Sequence, residues 1–212
     1  MLRNLFALIL IVSNTAFLFA FEGDIQLTRH SQYDTTYFVF YVKDAKVRVD
    51  EFNASGQLSK TLIVNLATED IVALSPALKL YTKINSKQHD KQFGKKVDVI
   101  KSDNFKLIEG KKCYQWRVRD RALDREITYW VTESDLDIML KLYHILDITE
   151  NYSSIPNYYS QIPENEGFIP LIAIERNLVR EQRQLMQITS IKKRRVPSKF
   201  FEIPSGYKNL RL

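Results

Sequence analysis

The sequence predicts a mainly β fold, a curved antiparallel sheet with a short helix and a loop covering one face. Apolar and polar residues alternate with a period of two along most of the chain. The strand-like segments follow one another at intervals of about 8–12 residues, and a single segment has helical periodicity. Because most successive strands have no helix between them, we expect antiparallel pairing rather than a doubly wound parallel sheet.

The composition is that of one globular domain. Of the 212 residues, 45% are hydrophobic and 26% are charged, which is enough apolar material for a substantial core. A single cysteine excludes a disulfide framework, and six glycines and six prolines exclude a collagen-like chain. We expect one β-rich domain over residues 21–212.

Residues 1–20 have the order of a secretory signal peptide. Arg3 supplies the positive charge, an apolar run extends over 5–12, and Ala20 is a small residue before the expected cleavage site. The alternative is an uncleaved N-terminal membrane anchor. The signal-peptide interpretation predicts a protein that is periplasmic or secreted after cleavage.

The strands are predicted from the alternation in chain order. Ile25 and Leu27 mark the first strand, and 36–42 is apolar on both faces, as in a central strand. Val47 and Val49 mark the next strand, after a tight hairpin at residues 43–44. Further strands are expected at 61–66, 71–74, 78–84, 106–109, 113–119, 126–132, 171–174 and 183–193, with a polar, mobile loop at 85–96.

One helix is predicted over 138–148. Ser134 is a suitable N-cap, and Asp135 and Asp137 place negative charge in the first turn. An apolar stripe follows on one side of the helix. The next segment, 151–170, is rich in Tyr, Ser, Asn and Pro, and we expect a long irregular connection there.

No catalytic or metal-binding motif is present. The chain lacks the GxSxG, HExxH and GxGxxG patterns and a phosphate-binding glycine loop. Cys113 lies in an alternating strand, which favours a buried thiol over a reactive one. We therefore expect a protein that is not an enzyme and needs no cofactor.

Aromatic residues on the predicted sheet indicate where an apolar ligand would bind. A curved sheet must fill the space it encloses or bind something apolar there. The candidate cavity and lid residues are Phe38, Phe40, Trp116, Trp130, Leu142 and Leu146. The alternative is that these side chains simply pack a core.

The C-terminal segment is strongly basic. Lys192, Lys193, Arg194 and Arg195 are consecutive, and they form a candidate patch for an anionic membrane surface. An alternative is an edge strand protected by its charges from pairing with other chains. Nucleic acid is a poor partner for an exported protein, so we do not expect it.

Several segments resemble an uncharacterised domain family found in exported proteins of Gram-negative bacteria. The matching segments are FEGDIQL, YVKDAKVRVDEF, LIVNLATEDIVALSPALKLYTKI, EGKKCYQWRV, REITYWVTESDLDI, GFIPL and FFEIPSGYK. In its strand pattern this family is similar to the LolA/LolB-type lipoprotein carriers. That similarity implies a half-open antiparallel barrel closed by helices around an apolar cavity.

The expected function is therefore non-catalytic binding of an apolar or amphipathic ligand in the periplasm. The ligand class is a lipid, an acyl chain or a lipidated protein. The alternative is a structural or interaction protein of the cell envelope with a filled core and no ligand. The sequence leaves the oligomeric state open.

Overall fold

The computed structural model describes residues 21–84, 97–146 and 154–210. Within these residues the chain forms one twelve-stranded sheet and two α-helices. The helices are α1 (Asp137–Leu146) and α2 (Ser154–Ser160). The strands are β1 (Gly23–Ser31), β2 (Thr35–Lys43), β3 (Lys46–Phe52), β4 (Leu58–Asn65), β5 (Asp70–Ser75), β6 (Leu80–Ile84), β7 (Asp98–Ile108), β8 (Lys111–Asp120), β9 (Arg125–Glu133), β10 (Phe168–Arg176), β11 (Gln182–Lys193) and β12 (Lys208–Asn209).

The sheet consists of two antiparallel meanders, β1–β6 and β7–β11, which are joined by the pairing of β1 with β11. The strand order is β12-β6-β5-β4-β3-β2-β1-β11-β10-β9-β8-β7. Every pairing is antiparallel except the short parallel contact of β12 with β6. β12 and β7 are the two edges, so the sheet is not closed into a barrel.

The sheet curves around one core. Side chains of alternate residues on each strand point to the same face, and this inner face carries Ile25, Phe40 and Val49 at neighbouring register positions. A single buried cluster contains both Ile71 of β5 and Trp116 of β8, although these two strands are far apart in the strand order. The core therefore runs continuously across the inner face, from one half of the sheet to the other.

Two local backbone features allow this sheet to form. Gly23 is buried where β1 crosses close to β11, and a Cβ atom there would overlap the main-chain oxygen of Lys192. At the β2–β3 hairpin, Asp44 has a φ of 52°, in the left-handed region that aspartate tolerates in tight turns. The hairpin predicted at residues 43–44 is therefore present.

The C-terminal segment crosses the outer face of the sheet. After β11, Val196 and Phe201 pack with Ile63 and Leu74 in a second, smaller apolar cluster. The ring centroids of Phe200 and Tyr41 lie 4.9 Å apart in the same region. This crossing leads the chain to the far edge, where β12 pairs with β6.

The mainly β fold class, the antiparallel pairing and the helix covering one face are confirmed. The predicted helix is α1, which is described as far as Leu146. Two predictions lie outside the described residues: the signal peptide at 1–20 and the loop at 85–96.

Three sequence interpretations need correction. The connection predicted as irregular contains α2 and the start of β10. Pro156 stands in the first turn of α2, where a missing N–H costs no helical hydrogen bond, so the proline does not prevent a helix. β7 is much longer than the segment predicted at 106–109. Finally, β11 is paired on both sides and is not an edge strand.

Candidate functional site

The helix pair, α1 and α2, lies over the inner face of the sheet. At the start of α1, Ser134 Oγ accepts a hydrogen bond of 3.2 Å from the backbone N–H of Leu136. Asp137 Oδ1 accepts one of 3.0 Å from the backbone N–H of Gly167, which connects the helix start to the segment before β10. The side of α1 that faces the sheet is buried and consists of Ile138, Met139, Leu142, Tyr143, Ile145 and Leu146.

An aromatic cluster fills the space between α2 and the sheet. The Tyr159 ring lies 5.2 Å from the Tyr129 ring and 6.3 Å from the Trp116 ring, measured between centroids. Trp116 also contacts Phe168 at 5.1 Å. These rings come from α2, β9, β8 and β10, so one cluster fastens the helix to three strands.

Polar side chains also hold α2 on the sheet. Tyr129 Oη donates a hydrogen bond of 2.7 Å to the carbonyl oxygen of Ile155, and Tyr158 Oη donates one of 2.7 Å to Asp120 Oδ2. Ser154 Oγ donates to Glu175, a buried carboxylate whose other oxygen lies 2.8 Å from Arg125 Nε. These buried polar groups beneath the helix are therefore paired, as a dry interface requires.

Burial of these tyrosines changes their ionisation. Burial raises the pKa of Tyr158 to about 12, with its hydrogen bond to Asp120 acting in the same direction. Burial also raises the pKa values of Tyr129 and Tyr159 well above the ordinary value, because a phenolate beneath the helix would lack water. All three phenols stay protonated at neutral pH and act as hydrogen-bond donors.

A narrow slot remains at one end of the helix pair. Its walls are Leu27, Phe38, Phe40, Tyr143, Pro156 and Met186, and of the described residues that line it only Arg29 is charged. The slot has a volume of about 10 Å³, which is too small for a ligand in this arrangement. Beside this slot, the aromatic cluster and the buried side of α1 occupy the space between the helix pair and the sheet.

The structure brings together five of the six predicted cavity and lid residues. Phe38, Phe40 and Trp116 lie on the inner face, and Leu142 and Leu146 lie on the buried side of α1.

The sixth predicted residue, Trp130, lies on the outer face of β9, opposite Gln115 and Ile172. There Lys106 Nζ lies 4.1 Å from the centroid of its ring. Because side chains alternate along a strand, Trp130 cannot share a cavity with its neighbour Tyr129.

Cys113 of β8 is fully buried. Burial raises the pKa of its thiol, which disfavours the reactive thiolate. The buried position agrees with the expectation from strand alternation in the sequence.

Two of the four residues in the basic segment form ion pairs with described residues, and the other two do not. Arg194 pairs with Asp24, a buried carboxylate on β1, and Lys193 Nζ lies 3.3 Å from Asp135 Oδ2. Lys192 and Arg195 are exposed and have no carboxylate partner in the part of the chain that the structure describes. Half of the predicted anionic-surface patch therefore has a local structural role.

A second concave site, which was not predicted from the sequence, lies on the outer face of β8, β9 and β10. It is a pocket of about 600 Å³ whose lining includes Arg117, Arg119, Arg121, Arg176 and Arg180. The spacing of Arg117, Arg119 and Arg121 in the sequence could have indicated this site, because residues i, i+2 and i+4 of a strand share a face.

Neither a membrane-spanning helix nor a metal cluster occurs within the described ranges, 21–84, 97–146 and 154–210. None of their helices has both the length and the apolar composition needed to cross a membrane. Among these residues, no group of three or more His, Cys, Asp or Glu side chains is placed to hold a metal ion.

Several solved structures are similar to this chain to different degrees. An uncharacterized conserved protein from Thermus thermophilus is similar over 90% of this chain and 91% of its own, at 8% identity and a TM-score of 0.53, which shows the fold alone. The MucA/MucB complex of Pseudomonas aeruginosa is similar over 86% of this chain and 55% of that chain, at 10% identity and a TM-score of 0.45.

A third structure, from Vibrio parahaemolyticus, is described as an outer membrane lipoprotein-sorting protein domain. It is similar over 84% of this chain and 87% of its own, at 7% identity and a TM-score of 0.32. No curated protein matches the sequence. A family model matches residues 21–207. The chain therefore belongs to the DUF4412 family, a domain of unknown function, as the resemblance of its sequence segments to an uncharacterised domain family led us to expect.

Proposed function

We propose that this protein is an exported, non-catalytic binding protein of the cell envelope. It takes up the apolar part of an amphipathic molecule between the helix pair and the inner face of the sheet. The observation that carries the proposal is the slot beside α1 and α2, which is apolar except for one guanidinium group, that of Arg29.

The surroundings of Arg29 support an amphipathic ligand rather than a purely apolar one. Its Nη2 donates a hydrogen bond of 3.1 Å to Thr36 Oγ1, and its guanidinium carbon lies 5.2 Å from the centroid of the Phe38 ring. A guanidinium has five N–H donors, so most of its capacity is left for an anionic headgroup. An acyl chain would then extend along Phe38 and Phe40.

Binding requires movement of the helix pair, because the slot is too small in the closed arrangement. α2 has only seven residues, and its hold on the sheet depends on a few contacts, including the Tyr129–Ile155 hydrogen bond. Displacing this short helix would expose the aromatic cluster beneath it. The helix pair would act as a cover that closes over bound apolar surface.

A second candidate function is that of a structural or interaction protein without a ligand. The packing of Trp116, Tyr129 and Tyr159 favours it, since these rings fill the space that a carrier would keep for its ligand. The two candidates differ in one measurable property, which is saturable binding of an amphipathic probe.

The test uses the mature protein and a fluorescent fatty acid. We expect saturable binding, displacement by unlabelled palmitate, and an affinity about tenfold lower in Arg29→Gln, because a charged hydrogen bond to the carboxylate is lost. Arg195→Gln removes the same charge from an exposed position and is the matched control. If neither the fatty acid nor a lysophospholipid binds saturably, the carrier function is wrong and the structural role is retained.

Export is tested separately. Expression of the full chain in a Gram-negative host, followed by fractionation and N-terminal sequencing, should find the protein in the periplasm with its first residue at or near Phe21. An exported protein that still carries Met1 would support the N-terminal anchor instead.

A further inference from the structure

We propose that the pocket on the outer face of β8, β9 and β10 is a second ligand site, which binds a phosphate group. It lies on the opposite side of the sheet from the helix pair, so this proposal does not depend on the proposed function. We refer to it as the arginine pocket, and its volume of about 600 Å³ falls within the range of small-molecule sites.

Strand geometry explains why the arginines face one pocket. Arg117 is opposite Thr128 in the β8–β9 register, and Arg119 is opposite Glu126. On the other side of β9, Arg176 is also opposite Glu126. Directly opposite residues of neighbouring strands lie on the same face, so these side chains form the floor of the pocket.

Two turns at the same end of the sheet form its walls. The β8–β9 turn contributes Arg121, and the β10–β11 turn contributes Leu178 and Arg180. Asp124 links the two turns, since its Oδ1 accepts a hydrogen bond of 3.0 Å from the backbone N–H of Leu178. Its Oδ2 lies 2.8 Å from Arg183 Nη2. The walls are therefore fixed in position by a carboxylate that does not itself line the pocket.

The charge of the pocket is strongly unbalanced. Among the described residues, five guanidinium groups line it against one carboxylate, that of Glu126. Arg119 Nε donates a hydrogen bond of 2.9 Å to Glu126, and Arg121 Nε lies 3.5 Å from Asp98 Oδ2.

The other three arginines of the pocket are Arg117, Arg176 and Arg180. They have no carboxylate partner within the described ranges of the chain. A concave site lined by unpartnered charges of one sign attracts ions of the opposite sign, so this pocket favours an anion.

Arg117 is the residue that points most directly to a ligand. Its Nε is buried, and it donates no hydrogen bond to any described protein group. A buried N–H of a charged group without an acceptor is costly, so native structures normally supply one. Arg117 also lines the arginine pocket, so a ligand oxygen there supplies the missing acceptor once the guanidinium turns toward the pocket.

The number of donors favours phosphate over a single carboxylate. Each guanidinium presents a planar fork of N–H groups that matches two oxygens of an oxyanion. A carboxylate has only two oxygens, whereas a phosphate monoester or a diphosphate offers three or more to the forks of Arg117, Arg176 and Arg180. A soluble phosphate compound and a phospholipid headgroup share this chemistry.

Calorimetry with inorganic pyrophosphate tests the site in the mature protein. We expect saturable binding that weakens as salt is added, because the contacts are electrostatic. The double variant Arg117→Gln/Arg180→Asn should lower the affinity at least tenfold. Asparagine is chosen for position 180 because φ there is 72°, in a region that asparagine tolerates.

The matched control is Lys192→Gln/Arg195→Gln, which removes two positive charges from the basic C-terminal segment. We expect its affinity for pyrophosphate to stay within about twofold of the wild type. The single variant Arg180→Asn changes only an exposed turn position, so it tests the site even if the double variant fails to fold. It should itself lower the affinity severalfold. Absence of pyrophosphate binding, or equal losses in the pocket and control variants, would overturn the proposal.

Vesicles separate the two sources of phosphate. Phosphatidylcholine vesicles containing phosphatidic acid are compared with vesicles of phosphatidylcholine alone. The site would be assigned to a lipid headgroup if the protein binds the vesicles that contain phosphatidic acid, if pyrophosphate reverses this binding, and if Arg117→Gln/Arg180→Asn weakens it. Pyrophosphate binding without vesicle binding would assign it to a soluble phosphate compound, and both results support a phosphate site.

Discussion

The phenol of Tyr129 donates a hydrogen bond of 2.7 Å to the main-chain carbonyl of Ile155, and this bond joins the sheet to α2. Tyr129 is fully buried on β9, and Ile155 is buried in the first turn of the helix. A strand that carries only short side chains at this point could not reach the helix backbone. This hydrogen bond is therefore one of several buried contacts, together with the aromatic cluster and the Tyr158–Asp120 hydrogen bond, that hold α2 over the inner face.

Replacing Tyr129 with Phe removes this hydrogen bond and keeps the ring. We expect the free energy of unfolding to fall by about 1 kcal/mol. If the helix pair is a cover, association of the fluorescent fatty acid should become faster, because α2 separates from the sheet more easily. Chemical denaturation and stopped-flow fluorescence measure the two effects. An unchanged stability would show that the bond contributes nothing to closure.

Leu142→Ala tests the packing of α1. Leu142 is completely buried against the core, so its truncation should lower the free energy of unfolding by about 2–5 kcal/mol. His144→Ala is the matched control, because His144 is exposed on the same helix and its loss should have little effect. Urea denaturation compares the two. A loss of stability well below about 2 kcal/mol in Leu142→Ala would indicate a site that adapts, as a ligand cover does.

The buried tyrosines predict a loss of stability in alkaline solution. Tyrosine in the unfolded chain ionises near its ordinary pKa of 10.0, whereas burial raises the pKa of Tyr158 to about 12. The unfolded state therefore loses its proton first, and stability should decrease as the pH rises from about 10 to about 12. Thermal unfolding across this range should show a shallower decrease in Tyr158→Phe than in the wild type. Equal slopes would mean that Tyr158 ionises alike in both states.

Cys113 should react slowly with a soluble maleimide in the native protein and rapidly in denaturant. Its side chain is inaccessible, and burial raises the pKa of the thiol, which keeps the nucleophilic thiolate scarce. The control is Tyr33→Cys in a Cys113→Ser background, since Tyr33 is 94% exposed. Mass spectrometry follows both reactions. Equal rates for Cys113 in native and denaturing conditions would show that the thiol is exposed.

Arg194 and Arg195 are adjacent in sequence, and we expect them to differ in their effect on stability. Arg194→Ala leaves the buried carboxylate of Asp24 without its ion-pair partner, so the midpoint of thermal unfolding should fall. Arg195→Ala removes an exposed charge and should leave the midpoint almost unchanged. Differential scanning calorimetry distinguishes them. Identical midpoints would show that the Asp24 contact does not stabilise the fold.

Much of the fold could be predicted from the sequence because it depends on local periodicity. The alternation of Ile25 and Leu27, or of Val47 and Val49, identifies which side chains share a face before any partner strand is known. The start of α1 at Asp137 agrees with the acidic residue predicted for its first turn. Ser134 is not the N-cap, because it lies three residues before the helix and accepts its hydrogen bond from Leu136.

Part of the candidate site could not be predicted in this way. Trp130 and Tyr129 are both aromatic residues on one strand, and only the register with β8 and β10 decides that Tyr129 faces the helix pair. α2 was missed because a proline in its first turn resembles a helix breaker when no partner surface is considered. The hydrogen bond between Tyr158 and Asp120 joins residues 38 positions apart, a distance over which sequence periodicity gives no information.

The sequence by itself determined the fold class, the faces of most strands and the amphipathic character of α1. Each of these depends on residues that are close together in the sequence, within one or two helical turns or a few residues of one strand. Tertiary structure alone decided that β11 lies inside the sheet, that the helix pair fills the inner face, and that arginines from β8 and β10 line one pocket. The physical reason is that these features depend on pairings between distant segments. Such pairings are selected by the packing of the whole core rather than by local backbone preference.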